Sequence, residues 1–187
     1  MPKVIYILGQ ARCGSSAFGY AIGNHNGITN LGETQSWLYG RTRGLTSCWV
    51  NFSHPPSDVL VDSSKSIWRL GHWLRSGYDV RIVWLRRNVT DCIRSRLRRR
   101  NGYSVWRCIV DPILSEVINR LYLIGKSYCV VGLSELKNHN KKARERLELH
   151  TGESLHNLYL PFDPWQQRYA VMTGNYETAD KGVQCLE

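Results

Sequence analysis

The sequence predicts an α/β fold of three layers, with a mainly parallel central sheet flanked by helices. Three observations predict it. Val4-Ile5-Tyr6-Ile7-Leu8 is an unbroken apolar run rich in β-branched residues, as expected of a strand covered on both faces. Shorter apolar runs recur along the chain, each followed by a segment with helical spacing. The first run also ends in a glycine-rich turn, Gly9 to Gly14, that leads directly into a helix. At 187 residues the chain suits one domain, residues 1–187, large enough to bury a core.

Taken in order, the run Val4–Leu8 is the first strand, and Ser15 to Asn24 fits a helix with Ser15 or Ser16 near its start. Val59-Leu60-Val61 reads as a second short buried strand, closed by Asp62-Ser63-Ser64. Residues 65–76 place Ile67, Leu70, Trp73 and Leu74 on one helical face. Arg81 to Leu85 is a further strand. A basic helix over about residues 89–100 follows, with Val89, Ile93 and Leu97 as its expected buried stripe. Val105 to Lys126 is a longer helix with Ile109, Ile113, Val117 and Leu121 on one side. Its Pro112 predicts a break or kink, because proline has no N–H for the helical ladder. Tyr128 to Val131 is another strand, and Lys141 to His150 a polar helix. Residues 40–57, with Pro55-Pro56 as a rigid connector, and residues 152–187 show weak periodicity and are expected to pack as loops and short turns.

The charge is uneven. Lys and Arg number 25 against 15 Asp and Glu, a net charge of +10. Residues 81–107 hold nine Arg and a single acid, Asp91, so +8 lies in that stretch. Such an excess points to an anionic partner and does not by itself choose among nucleic acid, an anionic membrane and a phosphorylated cofactor. The six cysteines, at 13, 48, 92, 108, 129 and 185, have neither C-x-x-C pairs nor regular spacing, which argues against a zinc site or a disulfide framework. Buried free thiols in a reducing compartment are the expectation. The apolar run after Lys3 is too short for a signal peptide, and no run approaches a membrane span. A soluble cytoplasmic protein is expected.

Gly9-Gln10-Ala11-Arg12-Cys13-Gly14-Ser15-Ser16 carries the most chemistry. A glycine-rich turn between a strand and a helix lets backbone N–H groups converge on an anion, where the helix N-terminus adds partial positive charge. Ser15 and Ser16 add hydroxyl donors. The spacing G-x-x-x-x-G is that of a P-loop, which makes the predicted fold P-loop-type. The lysine that should follow Gly14 is absent, and Arg12 supplies a cation within the loop instead. That departure counts against an ATP or GTP hydrolase, whose lysine reaches the β- and γ-phosphates.

Strand, G-x-x-R-x-G-S-S and helix together resemble the 5′-phosphosulfate loop of sulfotransferases that use 3′-phosphoadenosine 5′-phosphosulfate (PAPS), in particular the bacterial and tyrosylprotein members, which carry Arg at the position of Arg12. Three further motifs extend the resemblance. Arg87 at a strand end and Ser95 eight residues on match the pair that holds the cofactor's 3′-phosphate in the family. Val61-Asp62-Ser63-Ser64-Lys65 is similar to a D-x-S-K strand end. Asn30-Leu31-Gly32-Glu33 is similar to the Gly-Glu whose Glu is the family's general base. Fainter likenesses are Val131 to Leu136 to a strand end, Thr173-Gly174-Asn175 to a Gly-Asn, and Lys181-Gly182 to a Lys-Gly pair that closes over the 3′-phosphate. The resemblance is good over roughly residues 3–100 and thin beyond about 130.

The resemblance implies sulfuryl transfer from PAPS to a hydroxyl or amine of a small molecule, sugar or peptide, releasing adenosine 3′,5′-bisphosphate, with no metal. It implies Arg12, Lys65 and Glu33 as catalytic residues. Gly9, Arg12, Cys13, Gly14, Ser15, Ser16, Arg87, Ser95 and Lys181 are implied as the cofactor site. Two other readings compete. A P-loop kinase or other nucleotide-binding protein would use the same loop, with Asp62 as a metal-binding acid at a strand end. A nucleic-acid-binding module would use Arg94, Arg96, Arg98, Arg99 and Arg100. Those arginines spread around the helix rather than collecting on one face, so nucleic acid is the less favoured partner.

Overall fold

A computed structural model of the chain describes residues 1–23, 25, 27–31, 57–99, 103–156 and 158; the side chain of Arg99 lies outside the description. Its elements are β1 (Lys3–Gly9), α1 (Ser15–Gly23), β2 (Ile28–Asn30), β3 (Val59–Lys65), α2 (Ile67–Trp73), β4 (Asp79–Arg86), α3 (Val89–Arg99), α4 (Val105–Leu123), β5 (Tyr128–Gly132), α5 (Leu133–Lys137) and α6 (Lys141–Thr151). The strands form one five-stranded sheet in the order β2-β3-β1-β4-β5, and every pairing is parallel.

The central place of β1 explains its sequence. Successive side chains of a strand point to opposite faces, and both faces here are covered. Ile5 and Ile7 join Phe18 and Ile22 of α1, Leu136 of α5 and Leu147 of α6. Val4, Tyr6 and Leu8 join Leu70 and Trp73 of α2 and Leu123 of α4. Helices, sheet and helices thus make the three predicted layers.

This arrangement also positions the site. The helix after β1 packs on one face of the sheet, and the helix after the adjacent strand β3 packs on the other. Connections that diverge from neighbouring parallel strands open a crevice beyond their C-terminal ends, the usual ligand position in open α/β sheets.

Several helical segments depart from the expectations. Of the break or kink expected at Pro112, the break is absent: helix α4 runs through it, and Pro112 is buried. Its stripe Ile113, Val117 and Leu121 faces outward, and Ile109 is half-buried. On α3, Val89, Ile93 and Leu97 are half-buried, while Cys92 is fully buried. On the predicted face of α2, Leu70 and Trp73 are buried but Leu74, just beyond the helix, is exposed. Helix α5 was not anticipated at all. It starts where Glu135 accepts a hydrogen bond from the Gly132 amide at 2.7 Å, and that bond is the main cause holding the Glu135 carboxyl below its ordinary pKa. Cys13, Cys92, Cys108 and Cys129 are buried free thiols. Cys48, Cys185, nearly all of residues 40–57 and most of 152–187 lie outside the described residues.

Candidate functional site

The loop after β1 is shaped by its glycines. Gly14 has φ +95°, a conformation that L side chains rarely adopt, and a Cβ there would also lie 2.9 Å from Leu133 Cδ1. A Cβ on Gly9 would meet Cys13 Sγ at 2.6 Å and the Leu85 carbonyl oxygen at 2.9 Å. The turn closes when the Cys13 amide donates to the Gln10 carbonyl at 3.1 Å, and Phe18 N donates to the Gly14 carbonyl at 3.0 Å as α1 begins. Cys13 is thus fully buried with its amide engaged inside the turn. Ser15 is buried and Ser16 half-buried at the helix start.

Arg12, Arg87 and Ser95 come together around this loop. Arg12 Nε donates to Ser95 Oγ at 3.3 Å. Arg87 Nη1 donates to the Arg12 carbonyl oxygen at 3.0 Å. The three residues come from the loop, the end of β4 and the middle of α3, and all are half-buried. Sheet register explains the meeting. Gly9 pairs with Leu85, so the loop and the segment after β4 leave the sheet side by side.

Lys65 reaches the same edge by a bulge. Tyr6 pairs with Asp62 and Leu8 with Lys65, so β3 carries one extra residue there. Lys65 has φ +65° and Arg12 φ +73°. Among the described residues the only other non-glycine with positive φ is His139, in the turn between α5 and α6. Left-handed backbone at a non-glycine costs about 1–3 kcal/mol and tends to collect where function demands it. Two of the three cases fall on the two cations that the sequence singled out.

Asp62 has a different occupation from the metal-binding one considered above. It is fully buried, and both carboxylate oxygens are engaged. Oδ1 accepts from Ser64 N at 2.9 Å and from the Ser64 hydroxyl. Oδ2 accepts from Arg69 Nε at 2.5 Å and Trp73 Nε1 at 2.8 Å. Asp62 therefore ties the end of β3 to α2. Nearby, Tyr6 donates to the Ser66 carbonyl oxygen at 2.6 Å. Burial, and then the Asp62 charge, raise the Tyr6 hydroxyl well above its ordinary pKa.

A second buried acid, Glu116 of α4, had no assigned role in the sequence. Its Oε2 accepts from Gln10 Nε2 at 2.5 Å, and its Oε1 accepts from Arg86 Nη2 at 3.1 Å and Arg120 Nε at 3.0 Å. It holds the first residue of the loop and the end of β4 to the same helix. The i, i+4 relation to Arg120 was visible locally; the link to Gln10, 106 residues away, was not.

Glu33 and Lys181, and with them Gly32 and the Thr173-Gly174-Asn175 segment, lie outside the described residues. A hollow of about 690 Å³ lies at the β5 edge, lined by Arg81, Tyr128, Glu135 and His150 among others. It contains none of the loop residues. The strained cations and the converging donors make the loop, not this hollow, the candidate site.

Fold and loop together define a three-layer α/β protein of P-loop type. No protein-family model matches the sequence, and no curated protein sequence matches it. A crystal structure of a sulfotransferase from Alicyclobacillus acidocaldarius matches this chain with a TM-score of 0.56 and 14% sequence identity, over 97% of this chain and 94% of that one. At that identity the likeness establishes a sulfotransferase-like fold.

Proposed function

We propose that this protein is a sulfotransferase that moves the sulfuryl group of PAPS to a hydroxyl or amine acceptor and releases adenosine 3′,5′-bisphosphate. The observation that carries the proposal is the meeting of Arg12, Arg87 and Ser95 at the loop, through bonds of 3.3 and 3.0 Å. Two cations and a hydroxyl within one hydrogen-bonded group suit a ligand with two phosphates on one ribose. Arginine presents a planar fork to phosphate oxygens, and serine a compact donor.

Each residue then has a task. Arg87 and Ser95 hold the 3′-phosphate. Arg12, with the Gly14–Ser16 segment and the N-terminus of α1, holds the 5′-phosphate and offsets the charge that gathers on it as the bridging S–O bond breaks. Lys65 faces the sulfuryl oxygens. The new bond forms between sulfur and the acceptor oxygen or nitrogen, and Glu33 takes the acceptor's proton. Gly9 and Cys13 shape the turn, and Lys181 closes over the 3′-phosphate. Catalysis of this kind is mostly positioning and charge stabilisation, as in phosphoryl transfer. Side-chain cations supply the positive charge, so the reaction as proposed uses no metal. A cytoplasmic setting belongs to the same proposal. It is supported by four buried free thiols and by the finding that no described helix is long and apolar enough to cross a membrane.

The kinase reading loses its acid, because all four contacts of Asp62 are protein donors. Calorimetry separates the two. Adenosine 3′,5′-bisphosphate is expected to bind in the presence of a chelator, and Arg87→Ala is expected to weaken it. Binding of ATP that requires Mg²⁺, with none of the bisphosphate, would overturn the proposal.

A further inference from the structure

Helix α4 is inverted relative to a normal surface helix. Its sheet-facing side carries Cys108, Pro112, Glu116 and Asn119 together with Leu123. Its outward side carries Trp106, Ile113, Leu114, Val117 and Leu121, and Ile124 follows just past the helix; these six are 47–73% exposed. With half-buried Val110 they fall within about 100° of the helix circumference at 3.6 residues per turn, and the stripe is about 27 Å long. No charged residue interrupts it. Arg107 and Arg120 flank it, both exposed. A continuous exposed apolar stripe of this length marks an interaction surface.

We propose that this stripe is the interface through which two copies of the chain pair, α4 against α4, antiparallel about a two-fold axis near residue 115. The inference is independent of the proposed reaction. Two arguments favour a second copy as the occupant. First, the stripe is complementary to its own reversal, which a two-fold contact requires. Reversed about that point, Trp106 falls opposite Ile124, Val110 opposite Leu121, and Ile113 opposite Val117. Apolar groups meet apolar groups along the whole length, the flanking arginines remain at a solvated rim, and the helix dipoles oppose. Second, the area is adequate. Six large apolar residues a little over half exposed offer on the order of 600–700 Å² per copy, close to the roughly 800 Å² per partner of a standard interface.

Sedimentation velocity of the full chain over a wide concentration range tests this. A reversible dimer is expected. Val117→Asp lies on the exposed side of the helix, so it should leave the far-ultraviolet circular dichroism unchanged while weakening association at least about thirtyfold. The double variant Trp106→Cys, Ile124→Cys tests the register. Its two thiols are too far apart to join within one helix, so oxidation should give a covalent dimer that neither single variant gives. A monomer at every concentration overturns the proposal, whether the stripe is covered by residues 159–187, by a different protein or by lipid. Vesicle flotation of that monomer identifies the lipid case. A dimer that survives Val117→Asp, or fails to crosslink in the double variant, also overturns it.

Discussion

Replacing Arg69 with methionine tests how the end of β3 is held. Asp62 is fully buried, and Arg69 is its cationic partner at 2.5 Å, with the arginine side chain itself 5% exposed. Removing one member of such a pair leaves a buried charge without compensation and costs about 3–5 kcal/mol. Three donors remain, namely Ser64 N, the Ser64 hydroxyl and Trp73 Nε1. They place the expected loss at the lower end, about 3 kcal/mol, which for a chain of this size lowers Tm by about 6–12 °C. Urea unfolding followed by circular dichroism measures it. The sharper measurement is the cycle with Asp62→Asn. A neutral amide no longer needs the cation, so Asp62→Asn, Arg69→Met should lose about 2 kcal/mol less than the two single losses combined. Losses that add within about 0.5 kcal/mol, or an Arg69→Met variant as stable as wild type, would refute the account of Asp62 as a charge held by Arg69.

Other outcomes follow from the site. Arg12→Ala and Lys65→Ala should each lower kcat for sulfuryl transfer by about 10²–10³, as expected for one transition-state donor, and near-normal turnover in both would remove their assigned roles. Gly14→Ala should abolish binding of adenosine 3′,5′-bisphosphate and lower stability by about 2–4 kcal/mol, because a φ of +95° and a contact 2.9 Å from Leu133 are both imposed on it. Tyr6 sets an alkaline limit. Its folded pKa lies above the unfolded 10.0, so its contribution is complete below about pH 10 and is lost as pH rises toward the folded value. Tyr6→Phe should flatten that part of a urea stability–pH curve, and an unchanged slope would count against it. Cys92, whose thiol burial pushes up to about 12, should resist alkylation at pH 8 in the folded chain and react once the chain is unfolded.

The parts of the fold that were legible are those decided by local pattern. A strand buried on both faces reads as a continuous apolar run, and β1 is that strand. The glycine spacing of the loop is a local backbone requirement, and Gly14 meets it with a left-handed φ. What was not legible depends on partners far away in sequence. The periodicity of α4 correctly marks an apolar stripe, but periodicity does not say whether the stripe faces the sheet. The deciding contacts are those of Glu116 with Gln10 and Arg86, which turn the polar side inward. Pro112 illustrates the same limit: its missing N–H predicts a break or kink, and the helix spans it with the residue buried. Asp62 looked like a strand-end acid available to a ligand. Its true partners, Arg69 and Trp73, lie one helical turn apart on the next helix, so the spacing was present but only the fold shows that it points back.

The basic stretch from 81 to 107 takes on a specific meaning in the structure. Arg81 pairs with Asp79, Arg86 with Glu116, Arg94 with Asp91 and Arg96 with Asp111. Arg96 also lies 5.4 Å from the Tyr103 ring centroid, and Arg87 donates to the Arg12 carbonyl. The bonds of Arg86 to Glu116, Arg96 to Asp111 and Arg87 to the Arg12 carbonyl connect β4, α3, α4 and the loop to one another. Arg86, Arg87 and Arg96 thereby tie the loop and its neighbouring elements together. Arg98 and Arg107 are exposed with no acidic partner among the described residues, and the Arg99 side chain and Arg100 lie outside them. Part of the charge that pointed to an anionic partner of unspecified kind thus acts inward. It braces the loop beside which Arg12, Arg87 and Ser95 meet, the arrangement on which the proposed small ligand with two phosphates rests.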